Sequence, residues 1–448
     1  MKTLLIGSGA REHAMAKALA RSAQKPEIFC FATTYNPGLM ELAQGYHVGD
    51  PCSSEEVLDM ARKWRVNLAL IGPEAPLESG IADALARQLI PTFGPTQALA
   101  QIETSKAFAR HLLQKYKIPG CPQYQAFTDL TGVQDYLRQL GNNNYVIKAN
   151  GLAGGKGVKV AGDHLHSLTE AYQYCVQLDR QGQGFLIEEK LLGQEFSLLC
   201  FTDGHTTVPM PLVQDHKRAR VGNQGPNTGG MGSYTAANHR LPFLSDSDIL
   251  TAQQINEQTV QALMEETGER YQGILYGGFM ATQDGIRVIE FNARFGDPEA
   301  LNLLAILDSD FLEVCQAILA GKLKPELIKF APMATVCKYA VPEGYPDHPA
   351  KNQVVDLSAV RRPEQLYIAG LHKLDNKLFT TTSRAAAVVG RAKSIAQAEK
   401  LAEEEIKRIK GRLFHREDIG KNDLIQACIR HMQDLRHRKH TSVAGEPL

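Results

Sequence analysis

The chain has 448 residues, 43% hydrophobic and 22% charged, which is ordinary for a globular protein and too long for one core, so two to four packed units are expected. Lys+Arg and Asp+Glu both number 49, and no window approaches ~18 consecutive apolar residues; bulk charge gives no reason to expect nucleic acid, and no membrane-spanning helix is expected. The eight cysteines form no CxxC pair and no Cys/His metal spacing, so they read as reduced, mostly buried thiols of a cytoplasmic protein.

The opening MKTLLIGSGA is a short apolar run broken by glycine, a first strand and not a targeting segment. A helix is predicted over Glu12–Arg21, a strand over Ile28–Ala32, a helix over Glu55–Trp64, a strand over Leu68–Ile71 and a helix over Gly80–Gln88. This alternation predicts βαβ units and a parallel sheet. A boundary falls near Ala100, followed by one helix from Glu103 to Tyr116. Strands are predicted at Tyr145–Lys148 and, as an edge strand, at Phe185–Glu189. Residues 214–236 are polar and glycine-rich and read as a long functional loop. Gly278–Ala281 and Arg287–Phe291 form a hairpin through Asp284-Gly285. The last unit has strands near Thr335 and Ala387 and a helix over Ser394–Lys410, with Ile395, Ala398, Ala402, Ile406 and Ile409 on one face and the i,i+4 pairs Glu403–Lys407 and Glu404–Arg408. From Arg436 the sequence has no apolar period and reads as a frayed tail.

Five motifs carry chemistry. Gly7-Ser8-Gly9-Ala10-Arg11-Glu12-His13 follows a strand and opens a helix, which suits an anion at the helix N-terminus or a tight turn with no ligand; Glu12 stands where a dinucleotide fingerprint needs glycine. Lys148 ends a strand before a glycine loop bearing Gly155, Lys156 and Gly157, two ammonium groups and bare amides that suit a triphosphate; a glycine-rich hairpin with solvated lysines is the alternative. Glu188, Glu189, Leu191 and Glu195 lie where an edge strand can meet adenine through its backbone and a later carboxylate can take ribose hydroxyls, unless this is a charged loop. Glu290 and Asn292 alternate along a strand toward one face and offer oxygen ligands for Mg²⁺; Arg294 shares that face if the strand persists and can hold a carboxylate. Asp215, Lys217 and Arg218, with Asn227, Thr228, Gly229 and Gly230, fit a basic lid over an anionic substrate.

In this order the motifs resemble the ATP-grasp superfamily. GSGAREHA, GPEAPL (Gly72–Leu77), FGPT, SKAF, QDHKR, GPNTGGMG and EFNARFGDPE resemble one family within it, the glycinamide ribonucleotide synthetases, from residue 1 to about 425. The resemblance implies an α/β fold: an N-terminal parallel-sheet substrate-binding domain (1–102), a split ATP-grasp domain (103–328, mobile lid about 124–195), a small C-terminal α+β domain (329–430) and a tail (431–448). It implies ligation of glycine to 5-phosphoribosylamine with ATP as co-substrate and Mg²⁺, or Mn²⁺ in its place, on a monomer or weak homodimer with no nucleic-acid or membrane partner. It also implies Lys106, Lys148 and Lys156 at the phosphates, residues 188–191 at adenine and Glu195 at ribose. Asp215, Lys217, Arg218 and Arg294 would be catalytic, with Arg294 on the glycine carboxylate, and Glu290 and Asn292 the two protein ligands of the metal. The phosphate of phosphoribosylamine would lie at Gly9, Arg11, Glu12 and His13 and at the turn Gly72-Pro73-Glu74, with Asn227, Thr228, Gly229, Gly230 and Asp297 also binding substrate. The sequence departs from the family pattern at Asn150 and Gly154, at Thr382-Ser383 before Arg384, and in the stretch Val336–Pro346. An ATP-grasp ligase with other substrates and a non-catalytic nucleotide-binding module are the competing readings.

Overall fold

The structure, a computed structural model, describes residues 1–154 and 157–443. The first unit is the expected parallel sheet, in the order Gly45–Val48, Glu27–Ala32, Lys2–Ile6, Leu68–Ile71, Thr92–Phe93. Leu4, Leu5 and Ile6 on its central strand are wholly buried, as a strand covered by helices on both faces requires. The single helix expected from Glu103 is instead two, Gln97–Thr104 and Lys106–Lys115. Ser105 between them is extended, and its hydroxyl accepts the Phe108 N–H at 3.2 Å, so a capping residue starts a new helix where periodicity alone suggests continuity.

Two antiparallel sheets follow. One, in the order Tyr124–Phe127, Phe185–Glu189, Tyr145–Ala149, Val158–Val160, packs with the helices Val133–Leu140 and Leu168–Arg180 around its own apolar cluster, including Phe127, Ile147, Cys175 and Phe185. Phe185–Glu189 is interior to this sheet, paired on both sides, and not the expected edge strand. The other runs Thr207–Pro209, Gly193–Thr202, Gly273–Thr282, Gly285–Asn292, with the last two joined at Asp284-Gly285 as the sequence predicts.

Residues 214–236 are not one long loop. Gln214–Asp215 and Gly232–Thr235 begin the sheet that continues through Ala334–Pro342, Ala386–Ala392 and Leu366–Ile368, and the short hairpin Arg218–Arg220/Gln224–Asn227 projects between them. The helix expected over 394–410 spans Ile395–Ile406, with Ala398, Ala402 and Ile406 buried. Lys407 pairs with Glu403 at 2.9 Å, but Arg408 turns to Glu405 at 3.3 Å and not to Glu404. The expected tail is helical from Asn422 to Val443. Its first turns are anchored by buried Ile425, Cys428 and Met432, and Arg436 continues the contact through an ion pair with Asp248 at 2.8 Å. Among the described residues no helix is long and apolar enough to cross a membrane.

The first and last units dock through polar contacts on the helix Ala10–Ala20. Lys17 donates to the carbonyls of Leu366 (2.7 Å) and Pro363 (2.9 Å), and the buried His13 accepts the Ile368 N–H on Nδ1 at 2.9 Å. Burial, with the Lys17 ammonium nearby, lowers the His13 pKa from 6.5 to about 3. Between those values the unfolded chain takes up a proton that the folded chain refuses. The contribution of this residue is therefore present above about pH 6.5 and is lost as pH falls toward 3. Denaturant unfolding at pH 7 and pH 5 should show a smaller loss of stability for His13→Asn than for the unaltered protein, by up to about 1.4 kcal/mol per pH unit; equal losses would contradict a buried neutral imidazole.

Candidate active site

Glu188, 3% exposed, is the hub of the cleft. Its Oε1 accepts Arg110 Nε at 2.6 Å, and Oε2 lies 3.1 Å from Arg110 Nη2 and 2.7 Å from Lys148 Nζ. Arg110 also donates to the carbonyls of Val288 (3.2 Å) and Ile289 (2.7 Å), and Lys148 to Ile289 at 2.9 Å. One helix and two strands of the 124–190 unit are thereby pinned to the strand Gly285–Asn292 at the residue before Glu290. Burial penalises the Glu188 carboxylate, but Arg110 and Lys148 outweigh it and bring its pKa to about 2. Burial lowers the Lys148 pKa against the pull of Glu188.

Glu290 Oε1 lies 4.0 Å from Lys217 Nζ, which lies 3.5 Å from Glu195 Oε2. Burial opposes the charge on Glu290, yet Lys217, Lys148, Lys106 and Arg294 hold its pKa below the ordinary range. Glu195 and Glu290 keep the Lys217 ammonium charged against the cost of burial. Lys106 donates to the Gly151 carbonyl at 2.8 Å, and the Ala107 N–H donates to Asn150 Oδ1 at 3.1 Å, so the departure residue Asn150 caps the helix that Lys106 opens. Gly157 accepts the Ala149 N–H at 2.8 Å, closing the glycine loop; Gly155 and Lys156 lie outside the described residues. Glu189 Oε1 accepts the Gln123 N–H at 2.8 Å, and the Glu189 and Lys190 N–H groups are taken by Gln123 and Asn144, so the backbone at 188–190 is largely committed to the sheet.

Arg294 lies beyond the end of the strand, in a bend, and not two residues along a persisting strand. Its guanidinium donates to Glu103 (2.7 Å), Asn292 Oδ1 (3.2 Å), Glu74 (3.3 Å) and the Phe295 carbonyl (3.1 Å). Four of five donors are committed to the protein, which leaves little of the fork for the glycine carboxylate expected there. Arg294 instead holds Asn292. It lowers the Glu74 pKa to about 2, while burial raises that of Glu103 to about 7.

The expected phosphate site at the first helix already holds an anion. Glu12, 2% exposed, accepts the Gly9 N–H and Arg11 Nε, each at 2.6 Å. A Cβ on Gly72 would stand 2.0 Å from Glu12 Oε1, so glycine is required there for the carboxylate to fit. Arg11 reaches the Phe295 carbonyl at 3.2 Å, Pro73 caps the short helix Glu74–Glu78, and His13 faces the last unit. Gly9 also lies near a second carboxylate: a Cβ on it would stand 2.9 Å from Glu12 Oε2 and 3.9 Å from Asp297 Oδ2. Asp297 pairs with Arg384 at 3.1 Å and accepts the Tyr339 hydroxyl at 2.5 Å. Arg384 donates to the carbonyls of Gly229 (2.7 Å) and Gly230 (3.0 Å). Gly9, Asp297, Gly229 and Gly230 therefore meet at one junction, around Arg384, which follows the departure Thr382-Ser383. Arg218 does not reach Glu290: it is ion-paired with Asp163 and donates to the Gly225 carbonyl at 2.9 Å. Asn227 is paired with Arg218 in the hairpin, and Thr228 N–H donates to the Lys217 carbonyl at 2.7 Å.

A small cavity lies beside Glu290, lined by Glu195, Ser197, Asp215, Lys217, Tyr276 and Gly278 among others. Beneath it the Ser197 and Tyr276 hydroxyls are 2.7 Å apart, and each lies 3.0 Å from Oε1 of buried Glu299. Ser197 and Tyr276, like Arg110 and Glu103, carry no signal in the sequence, because Ser and Tyr in an apolar strand look like ordinary strand residues, whereas Glu299 closes the EFNARFGDPE motif. Oδ1 of Asp215 is shut off from solvent and has no hydrogen-bond donor among the described residues. Burial, then the neighbouring Glu299, raises the Asp215 pKa well above the ordinary carboxylate range. Replacing Glu188 by Gln leaves two buried cations without their counter-charge. Urea unfolding of Glu188→Gln should show a loss of about 3 kcal/mol, the scale of a broken buried pair; unaltered stability would mean that the cluster does not hold the cleft.

The sequence matches the phosphoribosylglycinamide synthetase N domain over residues 1–103, its ATP-grasp (A) domain over 104–300 and its C domain over 335–422. It is 45% identical over 436 residues to phosphoribosylamine–glycine ligase of Methanosarcina barkeri, covering 97% of this chain and 100% of that one. It is 46% identical over 446 residues to the enzyme of the same name from Methanocaldococcus jannaschii, with the same coverage. The crystal structure of phosphoribosylamine–glycine ligase from Thermotoga maritima superposes with a TM-score of 0.79 at 27% identity, over 94% of this chain and 100% of that one. The biotin carboxylase domain of Hydrogenobacter thermophilus 2-oxoglutarate carboxylase shares the fold at a TM-score of 0.68 and 15% identity, over 98% of this chain and 95% of that one. With N, ATP-grasp and C domains following one another along the same chain, around a cleft built from all three, the protein belongs to the phosphoribosylglycinamide synthetase family.

Proposed function

We propose that this protein uses ATP to join glycine to 5-phosphoribosylamine, giving glycinamide ribonucleotide, ADP and phosphate through a glycyl phosphate, a step of de novo purine synthesis. The observation that carries this reading is the Glu290 site, a carboxylate ringed by Lys217, Lys148, Lys106 and Arg294, in a chain 45% identical to ligases of that name.

The chemistry follows from the poor electrophilicity of a carboxylate. A glycine carboxylate oxygen attacks the γ-phosphorus of ATP, ADP leaves, and the acyl phosphate formed is open to attack by the phosphoribosylamine nitrogen. Phosphate then leaves and the nitrogen loses a proton. Glu290 and the carboxamide oxygen of Asn292 are hard oxygen donors that fit Mg²⁺ or Mn²⁺. Such an ion supplies charge neutralisation at the phosphates when bound. Lys148 spends two of its three N–H donors on Glu188 and Ile289 and has one for a phosphate oxygen, and Lys106 is also near Glu290. Adenine lies toward Leu191, where the committed backbone ends, and ribose near Glu195. Lys217 faces the transferring phosphoryl group, and Arg294 acts by orienting Asn292. Phosphoribosylamine enters at the junction of Gly9, Asp297, Gly229 and Gly230. The Arg218–Asp163 ion pair ties the 124–190 unit to the hairpin over the cleft and so keeps water from the acyl phosphate.

With ATP and Mg²⁺ present, ADP should form only when glycine and freshly generated phosphoribosylamine are both added, with the mass of glycinamide ribonucleotide in the product. Turnover with another carboxylate or amine in place of these would overturn the assignment of substrates. Glu290→Ala should lower kcat/KM by about 100-fold or more, in keeping with several kcal/mol of lost charge stabilisation; full activity at ordinary Mg²⁺ would contradict the metal assignment.

A further inference from the structure

The proposed chemistry needs water kept from the acyl phosphate, yet the hairpin Arg218–Arg220/Gln224–Asn227 that meets the 124–190 unit has little of its own to hold it in place. It is a separate two-stranded sheet with a register shift between Arg218 and Arg220, and among residues 218–227 only Ala219 is buried. A ribbon of this size is marginal in water by itself. Its position must come from outside, and the source lies in the C-terminal domain.

Arg416 follows the short strand Leu413–Phe414 and is fully buried. Its Nη1 donates to the Arg218 carbonyl at 3.1 Å and to Asn223 Oδ1 at 2.9 Å. Nε and Nη2 meet the two carboxylate oxygens of Asp418 at 2.9 and 2.7 Å, and Asp418 Oδ2 also accepts the Gly222 N–H at 3.0 Å. The base and the tip of the ribbon are thus held by one planar fork and its carboxylate. The fork is fixed from behind: buried Lys338 donates to the Glu417 carbonyl at 3.0 Å and is paired with Glu399 and Glu403 on the helix Ile395–Ile406. Arg218 is the joint. Its carbonyl is taken by Arg416, while its side chain grips Asp163 on the 124–190 unit.

We propose that Arg416, backed by Asp418, is a positioning residue for the ligase reaction: from the C-terminal domain it sets the hairpin where Arg218 meets Asp163, and so ties consumption of ATP to formation of product. This rests on the ligase reading above and adds a role for the C-terminal domain. Without the tie, water reaches the acyl carbon of glycyl phosphate, the bond from that carbon to the bridging phosphate oxygen breaks, and glycine, phosphate and a proton are released. ATP is then spent with no ligation. Arg416 touches no reacting group, so its loss shows in the yield per ATP and not only in the rate.

The test measures ADP and glycinamide ribonucleotide together, with ATP, Mg²⁺, glycine and phosphoribosylamine generated in the assay. The unaltered protein should form the two in equal amounts. Arg416→Lys keeps a charge beside Asp418 but not the fork, and should form about twice as much ADP as product or more. Asn223→Gly removes one partner of the fork at an exposed position whose φ of 55° glycine adopts without strain, so it decides the matter even if the buried site does not accept lysine. It should shift the ratio in the same direction, as should Asp163→Ala at the far end of the chain of contacts. Arg416→Lys combined with Asp163→Ala should be no more uncoupled than the more uncoupled of the two alone, because both cut one link. Equal amounts of ADP and product from either Asn223→Gly or Asp163→Ala, whatever happens to total turnover, would overturn the proposal, as would full additivity in the double variant. If the unaltered protein makes no glycinamide ribonucleotide, it is the ligase reading that fails, and that outcome is separate from these.

Discussion

A carboxylate buried between two cations, Glu188 between Arg110 and Lys148, fixes the geometry on which the cleft depends. Burying any one of these charges alone would cost several kcal/mol, and together they are tolerable only with close geometry. That geometry is met by drawing residues from a helix, two strands of one sheet and the carbonyls next to Glu290 on another. The unit around residues 124–190 has its own apolar cluster, distinct from the main core. Its position over Glu290 is therefore set largely by polar links: the Glu188 cluster, the Asn150 cap on the helix Lys106–Lys115, and the Asp163–Arg218 ion pair. A small number of directional contacts thus sets the register of this unit against Glu290.

The same economy recurs where the three domains meet. Arg384, on the last unit, binds carbonyls of Gly229 and Gly230 and the Asp297 carboxylate, and its guanidinium lies 4.2 Å from the centre of the Tyr339 ring. Arg294 joins Asn292 to Glu103 and, through Glu74, to the first domain. Glu12 fills the first glycine turn with a charge of the protein's own. Each arginine serves as a planar fork between carboxylates or carbonyls that belong to different segments, which lysine would not reproduce. The cavity beside Glu290 sits among these bridges.

What the sequence discloses is what local pattern can carry. The parallel sheet follows from strand–helix alternation, the Asp284-Gly285 hairpin from its turn residues, and the Glu290-x-Asn292 face from the period of a strand. The strands at 214–215 and 232–235 are hidden because they pair with each other and, through 232–235, with Ala334–Pro342 about a hundred residues away, while their own glycine and polar residues give no period. The helix to Val443 is hidden because its anchor is confined to Ile425, Cys428 and Met432. Arg110 and Glu188 are 78 residues apart, and Arg294 and Glu103 191, so neither pair reads as a pair in one dimension. The same distance effect hides the protein partners of His13 and Arg294, Ile368 and Glu103, which no local pattern discloses.

The central claim is that ATP activates the carboxylate of glycine and not the amine. Glycine labelled with ¹⁸O in both carboxylate oxygens tests this most directly, with inorganic phosphate from a single turnover analysed by mass. Transfer of one ¹⁸O to each phosphate is the result the account predicts, since the bond to carbon breaks as the amine displaces the acyl phosphate. Phosphate that carries no label, with both ¹⁸O atoms retained on the amino acid or its product, would contradict it.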